Sequence, residues 1–285
     1  MAADCDSSAL IPVETILHSL LAHARPVPQT ETLPLEQASG RVLACDLEAQ
    51  IDIPPFHASA MDGYAVDSQN LGTKQCIPVT QRIIAGQQYT TALQPGSAAR
   101  IFTGAPLPEG ADSVVMQESC VMDGNTIKIS TDVQPGQFVR FKGSHIKKGD
   151  IYLTKGHPLG PAAIGLGASI GIDKITVYRR LNVTLLTTGN ELMAPGTILK
   201  PGQIYDANQY LLNTLLGYLN CNVTIMTPAK DNLLTVKSVL QQACSGCDLI
   251  ITTGGVSVGE EDHIRTAVED LGELVLWRAR VKPGK

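Results

Sequence analysis

Residues 249–262 read LIITTGGVSVGEED, an apolar run that passes through two threonines and two glycines into an acidic cluster. Leu249–Thr253 has the length and residue types of a buried strand, and the glycines that follow end it. Glu260, Glu261 and Asp262 then open a helix over 260–271, where carboxylates offset the positive end of the helix dipole. Working outward, the same order of strand, glycine turn and helix recurs. Val183–Thr188 predicts another buried strand, closed by Gly189–Asn190–Glu191–Leu192. Leu211, Leu212, Leu215, Leu216 and Leu219 share one helix face. Val223–Thr227 reads as a strand, 232–243 as a helix and Leu274–Trp277 as a last strand. Strands alternating with helices over short links give the α/β class, a mostly parallel sheet with helices on both faces.

In such sheets ligands sit beyond the carboxyl ends of the strands. Both glycine loops lie there by sequence, and a glycine backbone admits a ligand closely while the next helix's amides favour anionic groups. Asp206 directly precedes the leucine helix and Asp231 follows the strand at 223–227. Each alone reads as a helix cap. Glu191, Asp206, Asp231 and Asp262 nonetheless converge on one sheet edge, and a gathering of acids suits a hard cation such as Mg²⁺. The terminal run Arg278–Ala279–Arg280–Val281–Lys282–Pro283–Gly284–Lys285 adds basic groups that could hold an oxyanion.

Upstream the texture differs. Val13, Ile16, Leu17, Leu20 and Leu21 predict an amphipathic helix near 12–24. Between Ile51 and His145, short β-rich runs alternate with Pro/Gly turns, and Asp123–Gly124–Asn125 reads as a hairpin turn. This middle third predicts a small antiparallel domain. Residues 159–170 return to helical composition, and Ile175–Arg179 forms a short strand. Two strings here are too particular for generic loops: PPFHASAMDGYAV at 54–66 and IFTGAPLPEGAD at 101–112. They set the Asp62 carboxylate and the Thr103 hydroxyl beside flexible glycines, an arrangement turn chemistry alone would also explain.

The bulk properties narrow the partners. A formal net charge of −5 and only 4% aromatic residues argue against a nucleic-acid partner. No segment has the roughly 18 apolar residues of a membrane span, and the acidic start lacks signal-peptide character. A cytoplasmic location is therefore expected. Seven cysteines, an odd number, fit reduced thiols, and Cys244 and Cys247 read as packed core thiols without a metal role.

Taken together, SAMDGYAV, IFTGAPLPEGAD, TTGNEL, TTGGVSVGEED and VKPGK occur in the order of the MoeA family of molybdopterin molybdotransferases. The chain resembles that family, gephyrin E domains included, from about Val13 to Lys285. The resemblance implies an N-terminal helix over 1–26, a small connecting domain split between 27–50 and 146–178, a β-rich lid over 51–145, and a MogA-like α/β domain over 179–285. It implies Mg²⁺-dependent insertion of molybdate into adenylylated molybdopterin with release of AMP, in a homodimer whose site lies at the subunit interface. MogA-like or other cofactor-synthesis proteins would be partners.

By motif match, Asp62, Thr103, Glu191 and Asp262 would be catalytic. Gly189, Asp206, Gly254, Gly255, Ser257, Gly259, Arg278, Lys282 and Lys285 would bind substrate, and Asp231, Asp262 and Glu191 would hold the metal. Two departures stand out. Ser144–His145 replaces the acidic pair usual after Gly143, so that role is not carried over. The family also continues past the KPGK turn, which implies an α/β domain incomplete at its C-terminus. A MogA-like adenylyltransferase, a gephyrin-like scaffold and an inactive pterin-binding fragment are the competing expectations.

Overall fold

A computed structural model of the chain describes residues 10–71, 76–87, 91–229, 232–254, 263–277 and 279–281, with the backbone alone at 227–229. The chain divides into two compact units. One comprises Pro34–Ser39 and Leu43–Ile175, the other Met1–Leu33, Gly40–Val42 and Thr176–Lys285. Among the described residues the α-helices are α1 (Val13–His23), α2 (Pro161–Ser169), α3 (Ala207–Tyr218), α4 (Leu233–Cys244) and α5 (His263–Leu271).

The β-rich unit is built on β1 (Gly63–Val66), β2 (Ile77–Ile83), β3 (Ala98–Ile101), β4 (Ser113–Met116), β5 (Cys120–Asp123) and β6 (Thr126–Ile129). Their order across the sheet is β4-β1-β3-β2-β6-β5. Both faces are covered. Ala65, Ile83, Ala99, Ile101 and Val114 pack on one side, while Tyr64, Val66, Ile77, Ala98, Val115 and Ile127 pack on the other. Central strands buried on both faces cannot alternate apolar with polar, and every residue of β1 is buried.

The expected hairpin forms, with Asp123 opposite Thr126 and Gly124 at φ +59° in the turn. The expectation of a purely antiparallel domain needs correcting, because β2 and β3 run parallel. The long connection from Ile83 to Ala98 permits this, since a parallel neighbour requires a crossover of about a dozen residues.

In the α/β unit, β7 (Asn182–Thr188), β8 (Asn222–Ala229) and β9 (Leu249–Thr253) form a parallel sheet in the order β8-β7-β9. The chain steps one way from β7 to β8 and then back across β7 to β9. Right-handed crossovers in opposite directions put α3 and α4 on opposite faces. Leu186 accordingly packs with Val236 and Leu240 of α4 and with Ile264 and Ala267 of α5. An ion pair from Lys237 to Asp270 ties the last two helices. At the other end of the sheet, Arg179 grips both carboxylate oxygens of Asp248 at 2.6 and 2.8 Å, and Asn182 N donates to the same carboxylate at 2.8 Å.

Two expectations fail here, for Leu274–Trp277 and for the Cys244–Cys247 pair. Leu274–Trp277 is not a strand. Trp277 instead lies under the Arg265 guanidinium of α5, 5.1 Å from its ring centre. The chain then bridges to Ile11 through Ala279, and Arg280 N donates to Ile11 O at 2.8 Å. The leucine helix forms as α3, where only Leu216 is buried and Leu211 and Leu215 are exposed. The cysteine pair is not a packed core: Cys244, the last residue of α4, is exposed, and Cys247 is half-buried. All six described cysteines are free thiols.

Candidate functional site

Asp62 stands just before β1 and Thr103 just after β3. These strands are antiparallel neighbours with Gly63 opposite Ile101, so the register itself sets the two residues side by side. Thr103 N donates to Asp62 Oδ1 at 2.8 Å, and Thr103 Oγ1 donates to the same oxygen at 2.7 Å. Oδ2 has no partner among the described residues. The Thr103 amide, then its hydroxyl, hold the Asp62 carboxyl below the usual carboxylate range, and the Arg100 charge adds to this. Both residues are exposed, so the carboxylate is ionised and accessible near neutral pH. The glycine next to Asp62 is required by packing. A Cβ at Gly63 would lie 1.9 Å from Val115 O on β4.

In the other unit the two glycine loops leave one edge of the sheet, because Thr187 pairs with Thr253. Gly254, at φ +85°, lies so close to the neighbouring loop that a Cβ there would be 2.4 Å from Thr188 O. Gly189 is overlain by the Glu191 carboxylate, which a Cβ would meet at 2.6 Å. Glu191 O accepts from Ile204 N at 2.9 Å, and Asp206 N donates to Met193 O at 3.0 Å. The short parallel pair Leu192–Met193 and Ile204–Tyr205 thereby sets Asp206 beside Met193. Gly189, Glu191 and Gly254 thus gather at the carboxyl end of β7, while Asp206 sits with Met193 and the first turn of α3.

Asp206 serves as the cap of α3, accepting from Gln209 N at 3.0 Å through Oδ1. Its second oxygen is different. The residue is 5% exposed, and Oδ2 finds no hydrogen-bond partner among the described residues. A buried carboxylate oxygen without a protein donor is costly, which sets Oδ2 apart from the capping oxygen. Asp206 lines a cavity of about 260 Å³ with Leu192, Met193, Ala194, Thr197, Gln209 and Tyr210.

Asp231, Gly255, Ser257, Gly259, Asp262, Arg278, Lys282 and Lys285 lie outside the described residues. Of the three metal candidates only Glu191 is described, and among the described residues no three His, Cys, Asp or Glu side chains gather as a metal site. The cap of α4 is Asn232, which accepts from Thr235 N at 2.9 Å. Ser144 and His145 are exposed.

The sequence reading overlooked Arg100 and Gln117. Arg100 Nη1 donates to Gly63 O at 3.2 Å and Nη2 to Gln117 Oε1 at 2.6 Å. The available signal was the position of Arg100 just ahead of the string that holds Thr103.

Comparison with known proteins extends over nearly the whole chain. Residues 11–171 match the family described as "MoeA N-terminal region (domain I and II)". Residues 184–285 match "Probable molybdopterin binding domain". The molybdopterin molybdenumtransferase of Haemophilus influenzae is 40% identical over 258 residues, which is 90% of this chain and 64% of that protein. The molybdopterin molybdenumtransferase of a Nostoc strain is 37% identical over 276 residues, 95% of this chain and 63% of its own. A solved structure of the molybdopterin biosynthesis MoeA protein from Pyrococcus horikoshii aligns with a TM-score of 0.80 at 33% identity, covering 97% of this chain and 70% of that one. The chain therefore spans a little under two thirds of the length of the curated relatives from Haemophilus and Nostoc. With both halves matched in order, and the fold matched throughout, the chain belongs to the MoeA family.

Proposed function

We propose that this chain carries the molybdopterin-handling part of a molybdopterin molybdotransferase, which inserts molybdate into adenylylated molybdopterin and releases AMP. The observation that carries the reading is the close approach of two glycine loops, Gly254 against Thr188 O, in a unit that also holds the buried, half-satisfied Asp206. An unpaired carboxylate oxygen beside a small, mostly apolar cavity selects a flat ligand with an N–H donor, as the amino-pyrimidinone end of a pterin provides. The exposed backbone of the glycine loops, with Ser257 and the amides of the following helix, receives the phosphate portion. Arg278, Lys282 and Lys285 supply positive charge for molybdate.

Mg²⁺ fits an all-carboxylate donor set, since carboxylate oxygens are the ligands it prefers, and the Glu191 carboxylate lies over Gly189 at the glycine turn. Glu191, Asp231 and Asp262 would hold it, and when bound it would offset the phosphate and molybdate charge. Asp62, ionised and oriented by Thr103, would direct a proton or water during release of the adenylate. Apolar side chains left exposed on α1 and α3, among them Leu17, Leu20, Leu21, Leu211 and Leu215, support a homodimer with the site at its interface.

The match of residues 11–171 to the MoeA N-terminal region favours this over a MogA-like adenylyltransferase. A cytoplasmic location goes with the same role. Among the described residues no helix is long and apolar enough to cross a membrane. The test is turnover: protein, adenylylated molybdopterin, molybdate and Mg²⁺ are mixed, and AMP and molybdenum-loaded cofactor are measured. Stoichiometric appearance of both is expected, and intact adenylate with no loaded cofactor would reject the activity.

A further inference from the structure

A cleft of about 560 Å³ on the β-rich unit is lined by Tyr64, Arg82, Arg100, Gln117 and their neighbours. Its centre is Arg100, whose place follows from the sheet. Arg100 lies opposite Tyr64 in the β1–β3 register, so its stem rises beside that ring. The guanidinium is 5.1 Å from the Tyr64 ring centre and 4.8 Å from that of Phe102. Planar faces on two sides fix its orientation, which a flexible ammonium would not retain. Its donors then reach Gly63 O at 3.2 Å and Gln117 Oε1 at 2.6 Å. Gln117 closes the circuit, since its own amide donates to Asp62 O at 3.1 Å.

The consequence is a brace around two consecutive carbonyls. Asp62 O is held from the β4 side by Gln117, and Gly63 O is held from the β3 side by Arg100. The Asp62 carboxylate is held in turn by Thr103, three residues beyond Arg100 on the same stretch of chain. Arg100 makes no hydrogen bond to that carboxylate and touches no reacting group. Arg82 also faces the Phe102 ring, at 5.0 Å, but is not joined to Gly63 or Gln117. It offers a matched control.

We infer that Arg100 is the positioning residue for Asp62, locking the Asp62–Gly63 backbone between β3 and β4 so that the carboxylate meets Thr103 in one geometry. The inference rests on the assignment of Asp62 to the proposed site, but it is tested without turnover, so the two can fail separately.

The experiment follows the Asp62 carboxyl carbon by NMR pH titration and the Thr103 amide by hydrogen exchange, in wild type, R100Q, R100K and R82Q. Far-UV circular dichroism confirms folding. In R100Q the Asp62 titration moves upward and Thr103 amide exchange quickens by roughly tenfold, as expected when a bracing hydrogen bond is lost. R100K keeps the charge and loses the planar fork, so the titration stays near wild type while the amide exchange still quickens. R82Q leaves both unchanged. A folded R100Q with wild-type titration and exchange overturns the inference, as does R82Q reproducing its effects. Should R100Q not fold, R100K decides: a wild-type exchange rate at Thr103 overturns the inference.

Discussion

Thr103 meets Asp62 with two donors on one oxygen, its amide at 2.8 Å and its hydroxyl at 2.7 Å, and leaves the other oxygen of the carboxylate open. This ties a residue from one conspicuous sequence string to a residue from the other, some forty positions away. Neither string is intelligible as a turn alone once the register of β1 and β3 is known. The pair has the form of an oriented, ionised group presented to whatever enters from solvent.

Asp62→Ala should therefore leave the melting temperature nearly unchanged, because the side chain is exposed, while turnover of adenylylated molybdopterin falls about a hundredfold or more. Thr103→Val removes the hydroxyl and keeps the amide. As the amide is the larger of the two influences, this variant should raise the Asp62 pKa only part of the way and lose less activity. The sign with pH follows. The pKa of Asp62 is depressed, so any activity requiring its ionised form is full above the ordinary carboxylate range and fails as pH falls through the lowered value. Turnover by Asp62→Ala at the wild-type rate would remove this residue from the mechanism.

The Arg179–Asp248 pair predicts a stability effect separate from function. Asp248 is held down to about 2 by the Arg179 side chain, with the Asn182 amide contributing. Its folded pKa lies below the unfolded value near 3.8, so the stabilisation is complete above that value and disappears as pH falls through 2. Asp248→Asn should lower the melting temperature by a few degrees at neutral pH. The gap from wild type should close between about pH 4 and pH 2. A gap that stayed constant through this range would show that the charge is not what matters.

Gly63→Ala tests the packing that supports Asp62. The new methyl would collide with Val115 O, a backbone atom of the neighbouring strand. Relief requires parting β1 from β4, and such forced strain in a packed interior costs on the order of 3 kcal/mol. Chemical denaturation should show that loss. An unperturbed midpoint would mean that the strands are more loosely joined than the register indicates.

Much of this was legible in the sequence, for identifiable reasons. Buried parallel strands are continuous apolar runs, so Val183–Thr188 and Leu249–Thr253 could be placed to within one residue. Gly189 and Gly254 marked their ends, since both adopt positive φ where another side chain would be strained. What escaped depends on partners far away in the chain. Leu274–Trp277 has strand composition, but a strand exists only with a neighbour to pair with, and the chain here goes to Ile11 and the Arg265 face instead. The parallel β2–β3 pair was hidden because residue types do not record direction. Arg100 was missed because its role lies in one backbone carbonyl, one glutamine side chain and two rings, partners that a motif does not display. Asp206 was read as a cap and as a ligand; the cap is seen in Oδ1, and Oδ2 has no partner among the described residues.

The most direct test of the central claim is equilibrium binding of adenylylated molybdopterin to wild type and to Asp206→Asn. The substitution keeps the shape and the cap on Gln209 but replaces one carboxylate oxygen with an amide, and Oδ2 is the atom that wants a donor. Wild type should bind, and the variant should remain folded while its affinity drops by tenfold or more, about 1.4 kcal/mol. Equal affinity in the two proteins, or no binding by wild type, would contradict a pterin site at this sheet edge.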